Sequence, residues 1–595
     1  MVAFALDFGG GIIGMSPCYN SRREKLNRAV TLMGDHDFTP KHASILRSST
    51  RAVAHMHQQI LSQRLCLIFG AGAGYDLGFP QWRQLLERLG ENLTGFSEAR
   101  PTADSETSLA QLLIKLFEYE FNSKNAEPPL DDAEGQRSHR ARLNAEWRNR
   151  IHLALYRDVI TGQSEEQQQK FFTQRCYYSS FLEVIKRSSV TVTYNFDDSI
   201  ERFLGASRSA AEKTKKRGYT SIYDENSQLP SLAPVIYHPN GFLAHLKAEK
   251  PSAQLILSEE SFAEQLTDYI AGRQAVLHAQ LSQKTCLLIG CSLMDPTLNY
   301  LLKRNATHHP GHYHYYAHWT GRDGEMGPCP PAYVDRLFEL YNLVTLSLST
   351  EEIMALGDLL SYPHDFLLEA ARDNNIDPMF TYIVTGAVGS GKSSVISHFR
   401  SLKQHDEWLE PRKPGMEKKV DTLTDDEMKA IDGWVDGQFA LKNRSLYSND
   451  NAIGIHILDR GPLDPLAFTR EGQIPRRARR LRSAICRKSK LQKEIVPAHV
   501  ILLSADPSEM EIRATSAGKL FDADTLEKQE RLLRDSYGEG AGVTVIDTRG
   551  LSVQDVVKRV ASVIHNQSPY QEVNLTDRIE QLQQPAQGQF DYGDP

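Results

Sequence analysis

Leu65-Cys-Leu-Ile-Phe69-Gly70-Ala-Gly-Ala-Gly74 decides how the first half of the chain is read. An apolar run that ends in alternating glycines describes a buried strand, a tight loop and the start of a helix. Thr381-Tyr-Ile-Val-Thr385-Gly386-Ala-Val-Gly-Ser-Gly-Lys392-Ser393 repeats that plan in the second half, with the full G-x4-G-K-S spacing of a phosphate loop. Such loops bring backbone N–H groups to a phosphate at a helix N-terminus. Around the first loop, a helix over 41–64 precedes the strand. Strands Val190–Tyr194, Pro234–Tyr237, Thr285–Gly290, Tyr313–His318 and Leu343–Leu348 follow it. Around the second, Tyr382–Thr385, Gly454–Leu458, Val500–Ser504 and Val543–Ile546 read as strands. Strands alternating with helices predict α/β units built on parallel sheets.

The predicted organisation is a poorly specified extension over 1–40 and a doubly wound, Rossmann-like domain over 41–350 with polar helical insertions between about 100 and 175. A connector over 351–377, a P-loop α/β domain over 378–565 and a disordered, Gln-rich tail over 566–595 complete it. A chain of 595 residues is too long for one core. Its 40% hydrophobic and 24% charged content is that of a globular protein. A net charge of −7 gives no reason to expect a nucleic-acid partner. No run of about 18 apolar residues predicts a membrane span. The N-terminus lacks the basic n-region of a signal peptide. The 7 cysteines form no C-x-x-C pair, which predicts no structural zinc and fits a reducing cytoplasm.

Four short polar motifs fall at the C-terminal ends of predicted strands in the first domain, where open α/β sheets gather ligands. They are Gly70-Ala71-Gly72 with the following Gly78-Phe-Pro80-Gln-Trp82, Thr193-Tyr-Asn195-Phe-Asp197, His238-Pro-Asn240-Gly241, and Gly290-Cys-Ser292-Leu-Met-Asp295. In this order they resemble the sirtuin-like NAD-consuming domain over roughly 41–350. The resemblance implies that Gly70, Ala71, Gly72, Trp82, Thr193, Gly290, Ser292 and Asp295 bind NAD+ as substrate. It implies that Asn195 and Asp197 order the ribose and a water, and that His238 acts as base. The family's paired C-x-x-C zinc motifs are missing here, which favours NAD hydrolysis over deacylation, as in sirtuin-like anti-phage effectors of bacteria. The family's His commonly stands directly before the Gly; here that place holds Asn240. Read as residues alone, Asn195 and Asp197 also suit the cap of the next helix, His238 a satisfied buried histidine, and Asp295-Pro296 an N-cap with proline at N1.

In the second domain, Gly386, Gly389 and Gly391 let the loop wrap a phosphate. Lys392 neutralises phosphate charge, and the Ser393 hydroxyl reaches Mg2+, with Ser394 beside it. Asp459-Arg460 closes an apolar strand, and Arg513 follows Asp506-Pro507. These features resemble the thymidylate and deoxynucleoside kinases. The resemblance implies ATP or a dNTP with Mg2+ at Gly386–Ser394, with Asp459, Arg460 and Arg513 near the phosphates. The lid is sparse, with Arg513 and Lys519 its only basic residues before Asp522. Arg476-Arg-Ala-Arg-Arg-Leu-Arg482 through Lys490 reads as a solvated helical face, a phosphate clamp or a nucleic-acid contact. The histidines at 308, 309, 312, 314 and 318 read as a histidine-bearing strand rather than a metal site.

Three functions fit. The first is an NAD hydrolase of anti-phage defence, homo-oligomeric by analogy, gated by a nucleotide or a phage-derived trigger at the second domain. The second is a nucleoside or nucleotide kinase with a regulatory NAD-binding domain. The third is a non-enzymatic two-site sensor.

Overall fold

The computed structural model describes residues 38–584, apart from 126–127, 130–131, 160–170, 173–174, 208–217, 224–233, 246–250, 253–254, 271–274, 414–415, 417–421, 471, 487–493 and 520. Residues 1–37 of the extension expected over 1–40, and the last tail residues, 585–595, lie outside the described residues.

Strands β1 (Leu65–Phe69), β2 (Val190–Thr193), β3 (Thr220–Ile222), β4 (Val235–Tyr237), β5 (Thr285–Ile289), β6 (His314–Trp319) and β7 (Leu343–Leu348) form a 7-stranded sheet in the order β3-β4-β2-β1-β5-β6-β7. Every pairing is parallel. The chain starts at the centre with β1, winds to one edge, then returns to lay β5 against β1. That reversal leaves a crevice beyond the C-terminal ends of β2, β1 and β5. Strands β8 (Met379–Thr385), β9 (Lys403–His405), β10 (Gly454–Asp459), β11 (His499–Ser504) and β12 (Val543–Asp547) form a second parallel sheet of 5 strands, β12-β11-β8-β10-β9. Its order also reverses at its first strand, so the phosphate loop after β8 sits at the switch point. The α/β class with parallel sheets is as expected. The short edge strands β3 and β9 were not.

The helices that matter to the sites are α1 (Thr50–Leu61), α2 (Trp82–Gly90), α3 (Glu106–Lys124), α4 (Ser199–Ala206), α5 (Pro296–His308), α6 (Thr350–Ser361), α7 (Lys392–Ile396), α8 (Asp425–Leu446), α9 (Ile474–Cys486), α10 (Pro507–Ser516), α11 (Val553–Asn566) and α12 (Leu575–Gln581). Their starts are chemically marked. Ser349 and Glu352 close a reciprocal capping box on α6. Asp295 caps α5 ahead of Pro296.

The two sheets share one hydrophobic core, in which Phe69, Tyr315 and Leu346 join Leu356, Tyr382, Ile457 and Val560. The expected connector supplies part of it, since Ile353, Leu356, Leu359 and Leu360 of α6 are buried. Helix α1 is the polar bridge. The Ser401 carbonyl, just beyond the phosphate-loop helix, accepts from Gln59 Nε2 at 2.6 Å and from His55 Nε2 at 3.1 Å. The other His55 nitrogen then accepts from the Tyr315 hydroxyl on β6, at 2.8 Å. Gln58 Oε1 accepts from Ile455 N at the start of β10.

The tail expectation is corrected for its described part. Residues 566–584 hold α12, whose Leu575 and Ile579 are buried against the second sheet's core. Ile495 N donates to Thr576 Oγ1 at 2.8 Å, and Ala498 pairs with Val573. The Gln-rich run hides this because the apolar residues precede it.

Candidate functional site

A cavity of about 480 Å3 opens at the crevice of the first sheet, lined by Gly70, Ala71, Gly72, Trp82, Asn195, Asp197, Asn240, Gly290, Ser292 and Asp295 among others. Three of the four predicted motifs therefore converge through residues expected of them, all but Thr193. The fourth contributes Asn240 instead of His238. The glycines here serve backbone packing. A Cβ on Gly70 would lie 2.6 Å from the Gly290 carbonyl oxygen, and one on Gly290, at φ +65°, would lie 2.3 Å from Ala73 N. The loops after β1 and β5 are pressed together, and Gly72 N donates to Gly290 O at 3.0 Å.

Helix N-termini ring the cavity. Wall residues include Trp82 at the start of α2, Ser105–Thr107 at α3, Asp197 ahead of α4, Asp295 at α5 and Thr350 at α6. Their summed dipoles favour an anionic ligand. Among the described residues, two buried donors of wall side chains have no protein partner, the Trp82 indole Nε1 and the Tyr194 hydroxyl. A buried orphan of this kind costs about 1–3 kcal/mol unless a ligand accepts from it.

Asn195 Nδ2 donates to the Gly70 carbonyl at 3.1 Å and lies 2.9 Å from the Tyr178 hydroxyl. The carbonyl fixes the amide's orientation, which leaves the side-chain oxygen for the cavity. Asp197 accepts from Ser199 N at 3.0 Å through one oxygen. Burial pushes its carboxyl above the usual range. Asp295 caps Leu298 N at 2.8 Å and accepts from Asn240 Nδ2 at 3.2 Å, while Gln265 Nε2 donates to Asn240 Oδ1. Capping and wall roles thus coexist at Asp197 and Asp295.

Two expectations are corrected. Thr193 stands behind the wall, accepting from Asn195 N at 3.2 Å, and so shapes the loop. His238 is outside the wall as well. Its Nδ1 lies 3.1 Å from the Asn195 carbonyl oxygen and its Nε2 2.9 Å from Glu201 Oε1, with the side chain 0% exposed. A ring so enclosed cannot reach a substrate as base. The imidazole that does line the cavity is His318, at the end of β6, with Tyr194 and Arg322 also in the wall. Strand parity put His318 in a histidine-rich strand, but only the sheet order brings that strand's end to the crevice.

The second site is closed upon itself. Lys392 Nζ donates to the carbonyls of Gly386 at 2.9 Å and Ala387 at 2.8 Å, and to Ser390 Oγ at 3.3 Å. Burial pulls its pKa down to about 7, against the pull of Asp459 and Asp464. Gly389, at φ +86°, lies against α10, where a Cβ would meet the Met510 carbonyl at 2.4 Å. Gly386 and Gly391 also have positive φ, and Ser394 is exposed on α7. Ser393 Oγ donates to Asp459 Oδ2 at 2.9 Å, and Asp459 Oδ1 is buried without a partner. These oxygens suit a hard cation such as Mg2+. Arg460 donates to Glu407 at 2.7 Å and Asp464 at 3.2 Å, and Lys442 Nζ to the Asp459 carbonyl at 3.0 Å. Burial lowers Lys442 to about 8.

Arg513 does not join this cluster in the structure. It pairs with Glu509 one turn earlier on α10, at 2.8 Å. Lys519 is the nearer lid cation, since Glu407, Arg412, Arg460 and Asp459 all act on its charge. Glu407 was missed because β9, whose end it follows, has no apolar run, and Lys442 because it lies inside helix α8, away from any glycine or strand-end motif. The basic helix α9 is largely structural. Arg477 pairs with Asp432 at 3.4 Å and Asp436 at 2.6 Å of α8, Arg480 with Asp432 at 3.1 Å, and Arg482 with Glu580 of α12. Arg487, Lys488 and Lys490 lie outside the described residues. His312 Nε2 donates to the Lys284 carbonyl at 3.0 Å. Among the described residues no group of three His, Cys, Asp or Glu is placed to hold a metal ion. No described helix is long and apolar enough to cross a membrane.

Residues 189–345 match the SIR2-like domain family. The match runs from the start of β2 into β7. The strand β1 and its glycine loop precede it in sequence but stand between β2 and β5 in the same sheet. No curated protein matches the chain. Among solved structures, a deoxyadenosine kinase from M. mycoides with bound dATP is similar at 16% identity, covering 30% of this chain and 97% of its own, with a TM-score of 0.25. A thymidylate kinase from Candida albicans is similar at 14% identity, covering 33% of this chain and 98% of its own, with a TM-score of 0.24.

Proposed function

We propose that the first cavity hydrolyses NAD+ to nicotinamide and ADP-ribose. The observation that carries this reading is the convergence of Asn195, Asp197, Asn240 and Asp295 on one cavity of about 480 Å3 ringed by helix N-termini. The SIR2-like match over 189–345 supports an NAD-related activity there. In the reaction the C1′–N bond to nicotinamide breaks and its electron pair leaves with the base. The ribose carries positive charge, which the Asp197 carboxylate stabilises. A water held by the Asn195 side-chain oxygen attacks C1′, and its proton passes to Asp197, whose raised pKa suits an acceptor. The same electrostatics that raise this carboxyl make it a stronger base than an exposed aspartate.

The Gly386–Ser394 site holds a nucleotide with Mg2+ and gates that reaction. Uncontrolled loss of NAD+ would kill the cell that makes the enzyme, so an attached switch is physically sensible. The switch needs only a ligand with unequal affinity for the two states. The whole is a cytoplasmic, homo-oligomeric anti-phage effector whose trigger is a nucleotide or a phage product. The test is nicotinamide release by the full chain, with and without dNTPs or phage lysate, set against Asn195→Ala. Release that depends on Asn195 supports the proposal. No release under any trigger sinks it.

A second reading, a nucleoside or nucleotide kinase, is favoured by the oxygen pair of Ser393 and Asp459 beside the Glu407–Arg460 ion pair. Transfer of γ-phosphate from ATP to a nucleoside or nucleotide, lost in Lys392→Ala, would establish it.

A further inference from the structure

His238 sits one residue layer behind the reaction site with both ring nitrogens engaged. Nδ1 faces the Asn195 carbonyl oxygen at 3.1 Å, and Nε2 faces Glu201 Oε1 at 2.9 Å. That same Oε1 accepts from Ser221 Oγ of β3 at 2.7 Å, as a carboxylate oxygen does. Neither ring partner has a proton to offer, so both ring nitrogens donate, and only the imidazolium form can do that. The pair is sealed in, with side-chain exposures of 0% for His238 and 5% for Glu201. The edge of Phe242 packs on the ring at 4.7 Å between centroids. Glu201 from α4 and Asp197 from the loop before it are the charged groups that act on the ring. Burial by itself pulls the ring's pKa down, and these carboxylates more than offset it, leaving the pKa raised.

We infer that His238 and Glu201 are positioning residues: a buried imidazolium–carboxylate pair that pins the Asn195 carbonyl and thereby aims the Asn195 side chain into the cavity. The inference rests on the NAD-hydrolysis reading for its kinetic consequence. The geometry supplies the mechanism. Asn195 is held at its N–H by Thr193 Oγ1, at its amide by Gly70 and Tyr178, and at its carbonyl by His238. Two of these holds come from titratable groups, and burial pushes the Tyr178 phenol well above its ordinary range, which leaves the one from His238 for a pH profile to read. Loss of the ring proton removes one of its two donors and loosens either the Asn195 loop or the tie to α4.

A positioning imidazolium and a general base predict opposite pH behaviour. The positioning role requires the proton, so activity falls as pH rises through the ring's pKa. A base requires its absence, so activity rises through the same pKa. Glu201→Gln keeps the shape and removes the charge, which moves that pKa downward.

The test is the pH profile of kcat for nicotinamide release by the full chain, wild type against Glu201→Gln, with Asn195→Ala as the control. The expected result is a fall of about ten- to a hundredfold in kcat, as for a small displacement of a reacting group. KM for NAD+ should change by less than about twofold, and the alkaline limb should move to lower pH. An acid limb that moves instead, or a profile that does not change, overturns the inference. Release that survives Asn195→Ala overturns the reaction reading itself and is recognisably a different failure. Nitrogen-15 NMR of histidine-labelled protein reads the ring independently of activity. A doubly protonated His238 at neutral pH, lost in Glu201→Gln, supports the clamp, and a neutral ring in the wild type overturns it.

Discussion

The crevices of the two sheets stand at equivalent topological places and are built on opposite electrostatic plans. At the first, the wall keeps groups in reserve: the Trp82 and Tyr194 donors lack protein partners, and burial has raised the carboxyls of Asp197 and Asp295. At the second, most charges answer one another, although burial raises the Asp459 carboxyl too and its Oδ1 has no partner among the described residues. Lys392 folds onto its own loop, Arg460 lies between Glu407 and Asp464, and Lys442 backs Asp459. A ligand entering the first site finds the Asp197 and Asp295 carboxyls already in the wall. A ligand entering the second has to take bonds away from the protein, so its binding is bound up with rearrangement. The proposed function assigns the reaction to the first of these plans and the signal to the second.

The strongest way to break this contrast is Asn195→Ala. Removing the water-holding oxygen should lower nicotinamide release by about 10²–10³-fold, the usual scale for losing one preorganised polar group in a reaction site. NAD+ binding, followed through Trp82 fluorescence, should weaken far less. Equal losses in both would make the residue a binder and dissolve the distinction.

Lys392→Ala tests the second site. It should weaken nucleotide binding by about a hundredfold, through loss of a charge-assisted contact. Basal NAD+ cleavage should stay unchanged while its response to nucleotide disappears. Cleavage lost together with nucleotide binding would mean that the loop is part of the first site's scaffold.

A smaller effect comes from pH. Burial lowers the pKa of His55 to about 4, of His57 to about 3 and of His312 to about 4, below the ordinary 6.5 of the unfolded chain. These rings are neutral when folded and take up protons on unfolding. Their contribution is therefore intact above pH 6.5 and is lost progressively as pH falls toward 4. Melting followed from pH 7.5 to 5 should show a falling Tm. A Tm that rises on acidification would refute the neutral seam. The smallest effect separates the lid cations. Lys519→Ala should weaken nucleotide affinity by several-fold, the scale of about 1 kcal/mol for one partly exposed charge. Arg513→Ala, which breaks only an exposed pair on one helix, should change it by less than about twofold.

Much of the frame was legible because buried parallel strands are continuous apolar runs. β1, β5, β8 and β11 read directly. β3 and β9 did not, since Thr220-Ser-Ile222 and Lys403-Gln-His405 are short edge strands without such a run. The loop carrying Lys392 was legible from its G-x4-G-K-S spacing, and those carrying Asn195 and Asp295 from their places at strand ends and from the resemblance their order carries. The roles of His238 and His318 were not, because which imidazole meets the cavity depends on sheet order and on Glu201. The glycines were found for a phosphate's sake, yet Gly70 and Gly290 are demanded first by each other.

Helix α1 has a consequence for the order in which the chain is made. It immediately precedes β1, so it leaves the ribosome with the first strand of the first sheet. Yet the acceptor for Gln59 and His55 is the carbonyl of Ser401, 342 residues downstream of Gln59. At roughly 5–20 residues per second, synthesis of that interval takes on the order of half a minute. Over that time the polar face of α1 lacks its final partner, and the half of the core supplied by Tyr382, Ile457 and Val560 does not yet exist. The nascent first unit thus waits, incompletely sealed, for the second. Completion of the cavity's foundation is tied to completion of the chain, so the full polar and apolar support of the first sheet's crevice is in place only when both sheets have been synthesised.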